Sequence, residues 1–393
     1  MHRVLCLDIE GGYGGSSKSL FQSIKNLPLN KVKPEVWCRR NGPIQDEYRA
    51  LGVPCRVIPE MSHLSALPKL SRNIYIFSKE LKNFNSKRQF REKLAKEVNA
   101  RFDLVHFNHE SLFLLSHWLK KRTNVPFTMH IRTNLVPSIF SRIQAKIIQN
   151  SIDRLVFISE NEKMSWSKLG LNTDNYSIIY NISGGSDKEL AYNTQIPKDN
   201  RLKVISLANY AWVRGVDRLI DVANELANRN RSDILFIVAG DMSLRGSLPS
   251  YLKQIARVGG GLEDYVESAG LSKMFCFLGH IPQPDTVLSQ SDLLLRLSRE
   301  NNPWGRDVIE ALGMGVPVVA TGSYDRFIKH GLNGYLIDSF NPQKVADLII
   351  NFADNRTLSK HMGEHGRDHI AILCNGKDRA NELAEVWKSV ISI

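Results

Sequence analysis

The sequence predicts an α/β protein made of two doubly wound domains with parallel sheets. Apolar runs of strand length alternate with polar or amphipathic segments of helical length, which is the pattern of βαβ units. A polar stretch with glycines and a proline interrupts this alternation near the middle of the chain. The length of 393 residues also suits two domains better than one core. Because such domains bind ligands at the carboxyl ends of their strands, we expect the two domains to face each other across a ligand cleft.

The predicted strands follow from apolar runs rich in β-branched residues. In the first half they are Val4–Ile9, Glu35–Cys38, Leu104–Phe107, Phe127–Ile131 and Leu155–Ile158. In the second half they are Lys203–Ala208, Ile234–Ala239, Met274–Leu278, Leu293–Leu297 and Val316–Ala320. We therefore predict an N-terminal domain at 1–182, a linker at 183–200, a C-terminal domain at 201–372 and a C-terminal helix at 373–393 that could pack back on the first domain.

Composition indicates a globular protein, with 42% apolar and 23% charged residues. No apolar run is long enough to cross a bilayer, and Met1–Glu10 is typical of a strand and not of a signal peptide. The five cysteines are scattered without the spacing of metal ligands. We therefore expect reduced thiols, a cytoplasmic location, and neither a metal site nor disulfides.

The net charge of +12 lies entirely in the first half. Residues 1–180 carry a net charge of +13 and residues 181–393 carry −1. In Lys69–Arg101, ten basic residues meet three acidic ones, and apolar residues are interleaved with them, including Tyr75, Ile76, Phe77, Leu81, Phe84 and Phe90. This segment is either a solvated helix face or a surface that docks on anionic lipid at the inner face of the membrane. No nucleic-acid-binding motif accompanies the charge, so nucleic acid is not expected as a partner.

A glycine-rich loop follows the first predicted strand and leads into a helix, in "LCLDIEGGYGGSSKSLFQSI". Glycines let backbone come close to a ligand, and a helix N-terminus offers unpaired N–H groups to an anion. Gly14 and Gly15 are therefore candidate donor-binding residues, although such a loop can also be a simple tight turn. The loop matches neither the dinucleotide fingerprint nor a P-loop.

Polar residues also follow other predicted strands. His109 comes after the strand that contains His106, and His130 and Arg132 end the next one, in "PFTMHIRTN". In the second half, Asn209 and Arg214 precede a helix, where an arginine suits a phosphate. Each of these positions faces the expected ligand edge of a sheet, although a lone histidine or arginine is often structural.

The stretch "ENNPWGRDVIEALGMGVPVVATG" places a Pro303–Gly305 turn before a short helix that carries Glu310. The turn could direct backbone N–H groups at a ligand, with Gly305 allowing close approach. Alternatively, Asp307 and Glu310 could form a capping box.

This stretch, with "RGVDRL", "VAGD" and the glycine-rich loop, resembles the family-4 retaining glycosyltransferases over nearly the whole chain. The resemblance implies the GT-B fold of two Rossmann-like domains and a metal-independent hexosyltransferase without a cofactor. It implies that Glu310 binds the nucleotide ribose, that Arg214 neutralises the diphosphate and that His130 lies beside the transferred sugar. Donor contacts would come from five neighbouring residues: Asn302, Pro303, Trp304, Gly305 and Arg306.

Two positions depart from the family pattern. Asn302 replaces the first glutamate of the pair that ends at Glu310, and Asn209 replaces one member of a basic pair with Arg214. Arg299, Arg306 or Arg132 could supply the missing charge.

The expected activity is transfer of a sugar, with retention, from a UDP- or GDP-type donor to a hydroxyl of a glycan or lipid-linked acceptor. Such a reaction serves cell-surface polysaccharide or glycolipid synthesis. His109 and Arg132 are expected on the acceptor side. The alternatives are a nucleotide-sugar 2-epimerase and a non-catalytic nucleotide-sugar-binding protein.

Overall fold

The computed structural model describes residues 1–12, 14–62, 64, 74–184, 194–246 and 248–392, and it does not describe the side chains of 74–77 and 80. The chain divides into two compact units. The first unit combines Met1–Ile182 with Asn375–Ile393, and the second is Ser183–Cys374. Residues 185–193 of the predicted linker lie outside the described part of the chain.

The first unit contains a parallel sheet of seven described strands in the order β3-β2-β1-β4-β5-β6-β7. These strands are β1 (His2–Asp8), β2 (Val32–Cys38), β3 (Cys55–Val57), β4 (Leu104–Phe107), β5 (Phe127–Ile131), β6 (Arg154–Phe157) and β7 (Tyr176–Ile178). Its helices are α1 (Gly15–Lys25), α2 (Ile44–Ala50), α3 (Ile74–Ser86), α4 (Arg88–Arg101), α5 (Phe113–Lys120), α6 (Ile139–Gln149), α7 (Glu160–Ser167) and, from the far end of the chain, the helix Gly376–Ile391.

The second unit contains a parallel sheet of six described strands in the order β10-β9-β8-β11-β12-β13. These strands are β8 (Leu202–Leu207), β9 (Ile234–Ala239), β10 (Phe275–Gly279), β11 (Leu293–Arg296), β12 (Val318–Thr321) and β13 (Gly334–Ile337). Its helices are α8 (Arg218–Asn228), α9 (Ser250–Arg257), α10 (Leu262–Ser268), α11 (Asp285–Leu288), α12 (Arg306–Gly313), α13 (Pro342–Asp354) and α14 (Arg356–Leu373). The helix Gly376–Ile391 is therefore α15. The prediction of two doubly wound α/β domains is confirmed.

The central strands are apolar because both faces of each sheet are covered. On β1, Leu5 and Leu7 belong to one buried cluster, while Val4 and Cys6 belong to another on the opposite face. The second of these clusters also contains residues of α15, including Trp387. The C-terminal helix thus completes the core of the first unit.

The strand orders place a topological switch point in each unit. In the first unit the chain proceeds outwards from β1 in one direction and from β4 in the other, and in the second unit β8 and β11 have the same relation. Loops diverge at such a point, which leaves a crevice at the carboxyl ends of the two strands. These two edges are where ligand is expected.

The basic segment Lys69–Arg101 is mostly helical, although Lys69–Asn73 lies outside the described residues. The interpretation that Phe84 and Phe90 contribute to an apolar docking surface is wrong, since Phe84 is buried in the core and Phe90 packs against it. Arg91 is also buried, with its guanidinium 3.9 Å from the centre of the Phe84 ring. Among the described residues of the segment, five basic side chains are exposed: Lys79, Lys82, Arg88, Lys93 and Lys96. Among the described helices, none has the length and apolar character needed to cross a membrane.

Candidate active site

Arg214 ends a short turn, Trp212–Arg214, that follows β8 at the switch point of the second unit. The next residue, Gly215, has a φ of 69°, and a Cβ there would lie 2.0 Å from the Leu297 carbonyl oxygen. Glycine is therefore required for the turn to pack against the end of β11. The side chain of Arg214 lines a pocket together with Arg296 and Asp307.

Arg214 is an exposed residue, and its guanidinium makes no ion pair or hydrogen bond with the described side chains. Desolvation and the neighbouring Arg296 lower its pKa, although the group remains cationic at neutral pH. An unpaired cation in a pocket at the carboxyl edge of a parallel sheet can bind an anionic ligand.

Arg296 joins the end of β11 to the start of α12. Its Nη1 lies 2.8 and 2.6 Å from the two carboxylate oxygens of Asp307, and its Nε donates to the backbone oxygen of Asn302 at 2.9 Å. A Cβ on Gly305 would lie 2.6 Å from Asp307 Oδ1 and 3.0 Å from Arg296 Nη1. Glycine is therefore needed at position 305 because the backbone lies close to the Arg296–Asp307 ion pair.

Glu310 is buried on α12, and only one of its carboxylate oxygens is used. Oε1 accepts from Arg306 Nε at 2.9 Å and from Arg306 Nη2 at 2.7 Å. Oε2 has no partner among the described residues, yet it is not fully buried. The capping-box alternative is wrong, because Gly305 is the N-cap and Asp307 is bound to Arg296. Oε2 is free to accept a hydrogen bond from a ligand hydroxyl.

The turn before α12 contains two buried polar atoms without a partner among the described residues, Asn302 Oδ1 and Trp304 Nε1. Pro303 and Trp304 are buried, and the Trp304 ring stacks on Phe327 with 4.4 Å between ring centres. Buried polar groups in folded proteins nearly always have partners. An acceptor and a donor left unpaired in one turn are groups that a bound ligand could satisfy.

None of the three arginines proposed to replace the missing charge is free. Arg299 pairs with buried Asp217 at 2.8 and 2.7 Å, and Arg306 pairs with Glu310. Arg132 donates to the backbone and side-chain oxygens of Asn108. The side chain of Asn209 accepts from the Asp241 backbone N–H at 2.9 Å. Sequence reasoning missed Arg296, although a charged residue that closes the apolar strand "LLLR" was a signal for it.

A second feature that the sequence did not reveal is a cavity of about 840 Å³ at the carboxyl ends of β9 and β10. Its lining includes Gly240, Asp241, Arg245, Gly261 and His280. Asp241 connects this cavity to Asn209 and so to the loop after β8. The cavity is large enough for a heterocyclic base.

In the first unit, the glycine-rich loop is fixed by a buried polar network. Gly14 is the N-cap of α1 and Gly15 its first residue. Asp8 at the end of β1 accepts from Ser17 on α1 and from Asn108 Nδ2, the latter at 2.7 Å. Burial raises the pKa of Asp8, because a charged carboxylate is poorly solvated there.

Arg132 and His109 extend this network. Arg132 donates to the backbone oxygen of Asn108 at 2.7 Å and to Asn108 Oδ1 at 2.6 Å. His109 Nδ1 accepts from the Ser111 backbone N–H at 3.1 Å and so caps the turn after β4. Both residues lie at the carboxyl edge of the first sheet, where they orient backbone, and their expected acceptor contacts stay predictions.

His130 is 3% exposed on β5, and its Nδ1 lies 2.8 Å from His106 Nε2. Burial and the positive charge of Arg132 lower the pKa of His106 to about 3 and lower the pKa of His130 as well. Both imidazoles are therefore neutral at neutral pH. Among the described residues, no group of three or more His, Cys, Asp or Glu side chains is arranged to hold a metal ion.

Each of the two units matches a known protein family. Residues 13–182 match the family model described as Glycosyltransferase Family 4, and residues 188–369 match the model described as Glycosyl transferases group 1. The chain belongs to the glycosyltransferases. This glycosyltransferase is 27% identical to the alpha-D-kanosaminyltransferase of Streptomyces kanamyceticus and 29% identical to the mannosylfructose-phosphate synthase of Agrobacterium fabrum.

These two alignments cover 49% and 41% of the glycosyltransferase, and only 47% and 36% of the respective relatives. Solved structures match the whole chain. Anabaena HepE in complex with UDP and glucose has a TM-score of 0.74 at 18% identity, over 99% of this chain and 100% of that one. The sucrose-phosphate synthase of Thermosynechococcus elongatus has a TM-score of 0.73 at 15% identity, over 100% of both chains. Both show the GT-B fold.

Proposed function

We propose that this glycosyltransferase moves a sugar from a nucleotide-sugar to a hydroxyl of a glycan or lipid-linked acceptor. One observation carries the proposal. At the carboxyl ends of the strands of the second unit, Arg214 has no ion-pair partner among the described residues, and Glu310 has one carboxylate oxygen without a hydrogen bond to them. Arg214 is free to bind a diphosphate, and Glu310 Oε2 is free to accept from a ribose hydroxyl. A nucleotide is the ligand that presents both groups.

For the same reason, the second unit is the proposed binding site of the donor. Arg214, with the Arg296–Asp307 pair beside it, faces the diphosphate, which gains negative charge as the glycosidic bond breaks. Asn302 and the turn Pro303–Gly305 face the donor sugar, and the cavity of about 840 Å³ takes the base. A UDP-type donor is favoured, because the HepE structures contain UDP and UDP-glucose.

The finer properties of the reaction rest on the family resemblance. They are retention of anomeric configuration, transfer of a hexosyl group, and independence from metal ions and cofactors. In such a reaction the cationic groups of the protein stabilise the leaving diphosphate, which is the role that Arg214 can fill. In this proposal His130 is a catalytic residue beside the transferred sugar, and His109 and Arg132 are on the acceptor side.

A lipid-linked acceptor implies that the protein works as a peripheral protein at the inner face of the membrane. The charge of the first half supports this, since residues 1–180 carry a net charge of +13. Anionic lipid attracts each exposed Lys or Arg with about 1 kcal/mol near the surface. Cell-surface polysaccharide or glycolipid synthesis is the corresponding process.

The test is calorimetric titration with UDP and GDP, with Arg214→Gln and Glu310→Ala as the variants. Glu310→Ala removes one hydrogen-bond acceptor and should weaken binding of the diphosphate and of the plain nucleoside, each by about 1–3 kcal/mol. Arg214→Gln should weaken binding of the diphosphate only, because the nucleoside has no phosphate for it to contact. Arg49→Gln is the matched control, since Arg49 is exposed on α2 in the first unit.

Incubation with labelled nucleotide-sugars then distinguishes the activities. Label transferred to a sugar or lipid acceptor supports the proposal. An altered sugar released without an acceptor indicates the epimerase, and binding without turnover indicates the non-catalytic protein. Unchanged nucleotide affinity in a folded Glu310→Ala variant would reject the assignment of the donor site.

A further inference from the structure

A buried chain of hydrogen bonds connects α15 to His130 within the first unit. Trp387 Nε1 lies 3.2 Å from His106 Nδ1, and His106 Nε2 lies 2.8 Å from His130 Nδ1. Thr128 Oγ1 also lies 2.8 Å from His106 Nδ1. Trp387, His106 and Thr128 have no exposed surface, so these contacts are made away from bulk solvent.

The direction of each hydrogen bond can be assigned, because one member of the chain has a single role. The indole N–H of a tryptophan donates and never accepts. His106 Nδ1 must therefore be unprotonated, which places the one proton of the neutral ring on Nε2. That N–H faces His130 Nδ1, which must accept in turn. The hydroxyl of Thr128 can rotate to give His106 Nδ1 a second donor.

We infer that Trp387, acting through His106, holds His130 as the neutral tautomer protonated on Nε2, so that His130 is a hydrogen-bond donor and not a general base. Its Nε2 has no partner among the described residues and is not fully buried, so this N–H remains available. Its use on an oxygen of the substrate rests on the proposed function. Trp387, His106 and Thr128 are positioning residues.

The same arrangement opposes protonation of His130. An imidazolium has a proton on both ring nitrogens, and a proton on Nδ1 would face the His106 Nε2–H across 2.8 Å. Burial, the charge of Arg132 and the neighbouring His106 all lower the pKa of His130. The donor tautomer is therefore expected to persist across neutral pH.

The primary test is made on the wild-type protein, by ¹⁵N NMR of labelled histidine side chains, which distinguishes a protonated ring nitrogen from an unprotonated one. Signals of the two rings are assigned from their loss in His130→Gln and His106→Gln. We expect protonated Nε2 and unprotonated Nδ1 in both rings. A proton on Nδ1 of either ring overturns the inference.

Two variants test whether Trp387 sets the tautomer. Trp387→Phe keeps an aromatic ring but removes the N–H, so that His106 Nδ1 can carry a proton and donate to Thr128. Both histidines should then populate the opposite tautomer to a measurable extent. Thr128→Val is the matched control, because it removes the other contact to the same nitrogen and leaves the Trp387 N–H in place. A wild-type pattern in a folded Trp387→Phe protein, or inversion in Thr128→Val, contradicts the assignment.

Turnover separates this inference from the proposed function. Trp387→Phe should lower kcat at least several-fold while leaving UDP affinity unchanged, since Arg214 and Glu310 belong to the other unit. An unaltered kcat in a variant with inverted tautomers would overturn the role assigned to the His130 N–H. A wild-type protein with the expected tautomers and no sugar transfer would instead reject the proposed function and leave the tautomer assignment standing.

Discussion

At Asn302 a buried side-chain oxygen has no partner among the described residues, while the backbone oxygen of the same residue accepts from Arg296. The side chain is therefore poised to accept from a donor that the protein does not supply. The resemblance to the family-4 retaining glycosyltransferases implies a glutamate at this position. A neutral amide can also donate, which a carboxylate cannot do, so asparagine suits a donor sugar that presents a different group.

Asn302→Glu should lower turnover with the native donor, because the larger charged group repels an acceptor atom of the sugar. Affinity for the nucleoside diphosphate should stay within about 0.5 kcal/mol of the wild type, as for changes that do not touch the ligand. Steady-state kinetics and calorimetry measure the two quantities. A variant that is faster than wild type with the native donor would show that Asn302 is only a weakened glutamate.

Glu162 on α7 is a buried carboxyl outside the donor site. Burial raises its pKa to about 8, despite a hydrogen bond from Ser159. In an unfolded chain a glutamate has a pKa of about 4.3. Between these values the folded protein binds more protons than the unfolded chain, so the free energy of unfolding decreases as pH rises through this window.

The free energy of unfolding of Glu162→Gln should therefore decrease less than that of the wild type when the pH rises from about 5 to about 9. Glutamine is neutral at both values and close to the shape of the protonated acid. Urea unfolding at the two pH values measures the change, with Glu385→Gln as the control because Glu385 is exposed on α15. The same pH dependence in Glu162→Gln and wild type would show that this carboxyl is ionised in the folded protein.

Among the elements, α6 carries the exposed apolar face that was expected in the basic segment. Ile139 is 72% and Ile143 49% exposed, and Arg142 and Lys146 are exposed beside them. The helix has no acidic residue. Apolar and basic side chains on one helix face are typical of docking on anionic membranes.

Replacing Ile139 and Ile143 by serine should reduce partitioning of the protein onto anionic vesicles by at least tenfold, because each buried isoleucine contributes about 1.5–3 kcal/mol. Co-sedimentation measures the effect, and binding should weaken as salt rises. Ile372→Ser is the control, since Ile372 is 77% exposed in the other unit. Equal partitioning onto neutral and anionic vesicles would contradict membrane docking through charge.

The sequence predicted the elements whose pattern is local. The predicted bounds are those of the structure for Leu104–Phe107, Phe127–Ile131 and Ile234–Ala239, because each is a mostly apolar run in which every residue is buried. Cys55–Val57 and Tyr176–Ile178 were missed, since three residues at a sheet edge carry no distinct periodicity.

The candidate site divides in the same way. Arg214 and Glu310 could be proposed from the sequence because they belong to contiguous motifs. The Arg296–Asp307 pair was not found, because it joins a strand end to a helix start. The contact between His106 and Trp387 spans 281 positions, and no local pattern can indicate it.

For the whole molecule, the first unit is assembled from two separate stretches of chain. Ala380, Leu383, Trp387 and Val390 of α15 are buried in the cluster that also contains Val4. The stability of the first unit therefore depends on residues that follow the entire second unit in sequence.

Leu383→Ala should destabilise the first unit by about 2–5 kcal/mol, which is the usual cost of such a truncation in a core. Residue-resolved hydrogen exchange measures the effect. Protection of the backbone amides should fall in Met1–Ile182 and stay unchanged in Ser183–Cys374. Glu385→Ala, on the exposed face of the same helix, is the control. Loss of protection confined to the second unit would show that α15 does not support the first.

The two separate stretches of the first unit affect the order in which the units fold during translation. Met1–Ile182 emerges from the ribosome first, but α1 and α2 cover only part of one face of its sheet, so the core on that face stays incomplete until Asn375–Ile393 leaves the exit tunnel. The second unit is one contiguous stretch of chain and can fold as soon as it emerges. The second unit can therefore finish folding before the first, whereas N-terminal domains usually fold first. During that interval the nascent protein exposes apolar surface that a chaperone can bind.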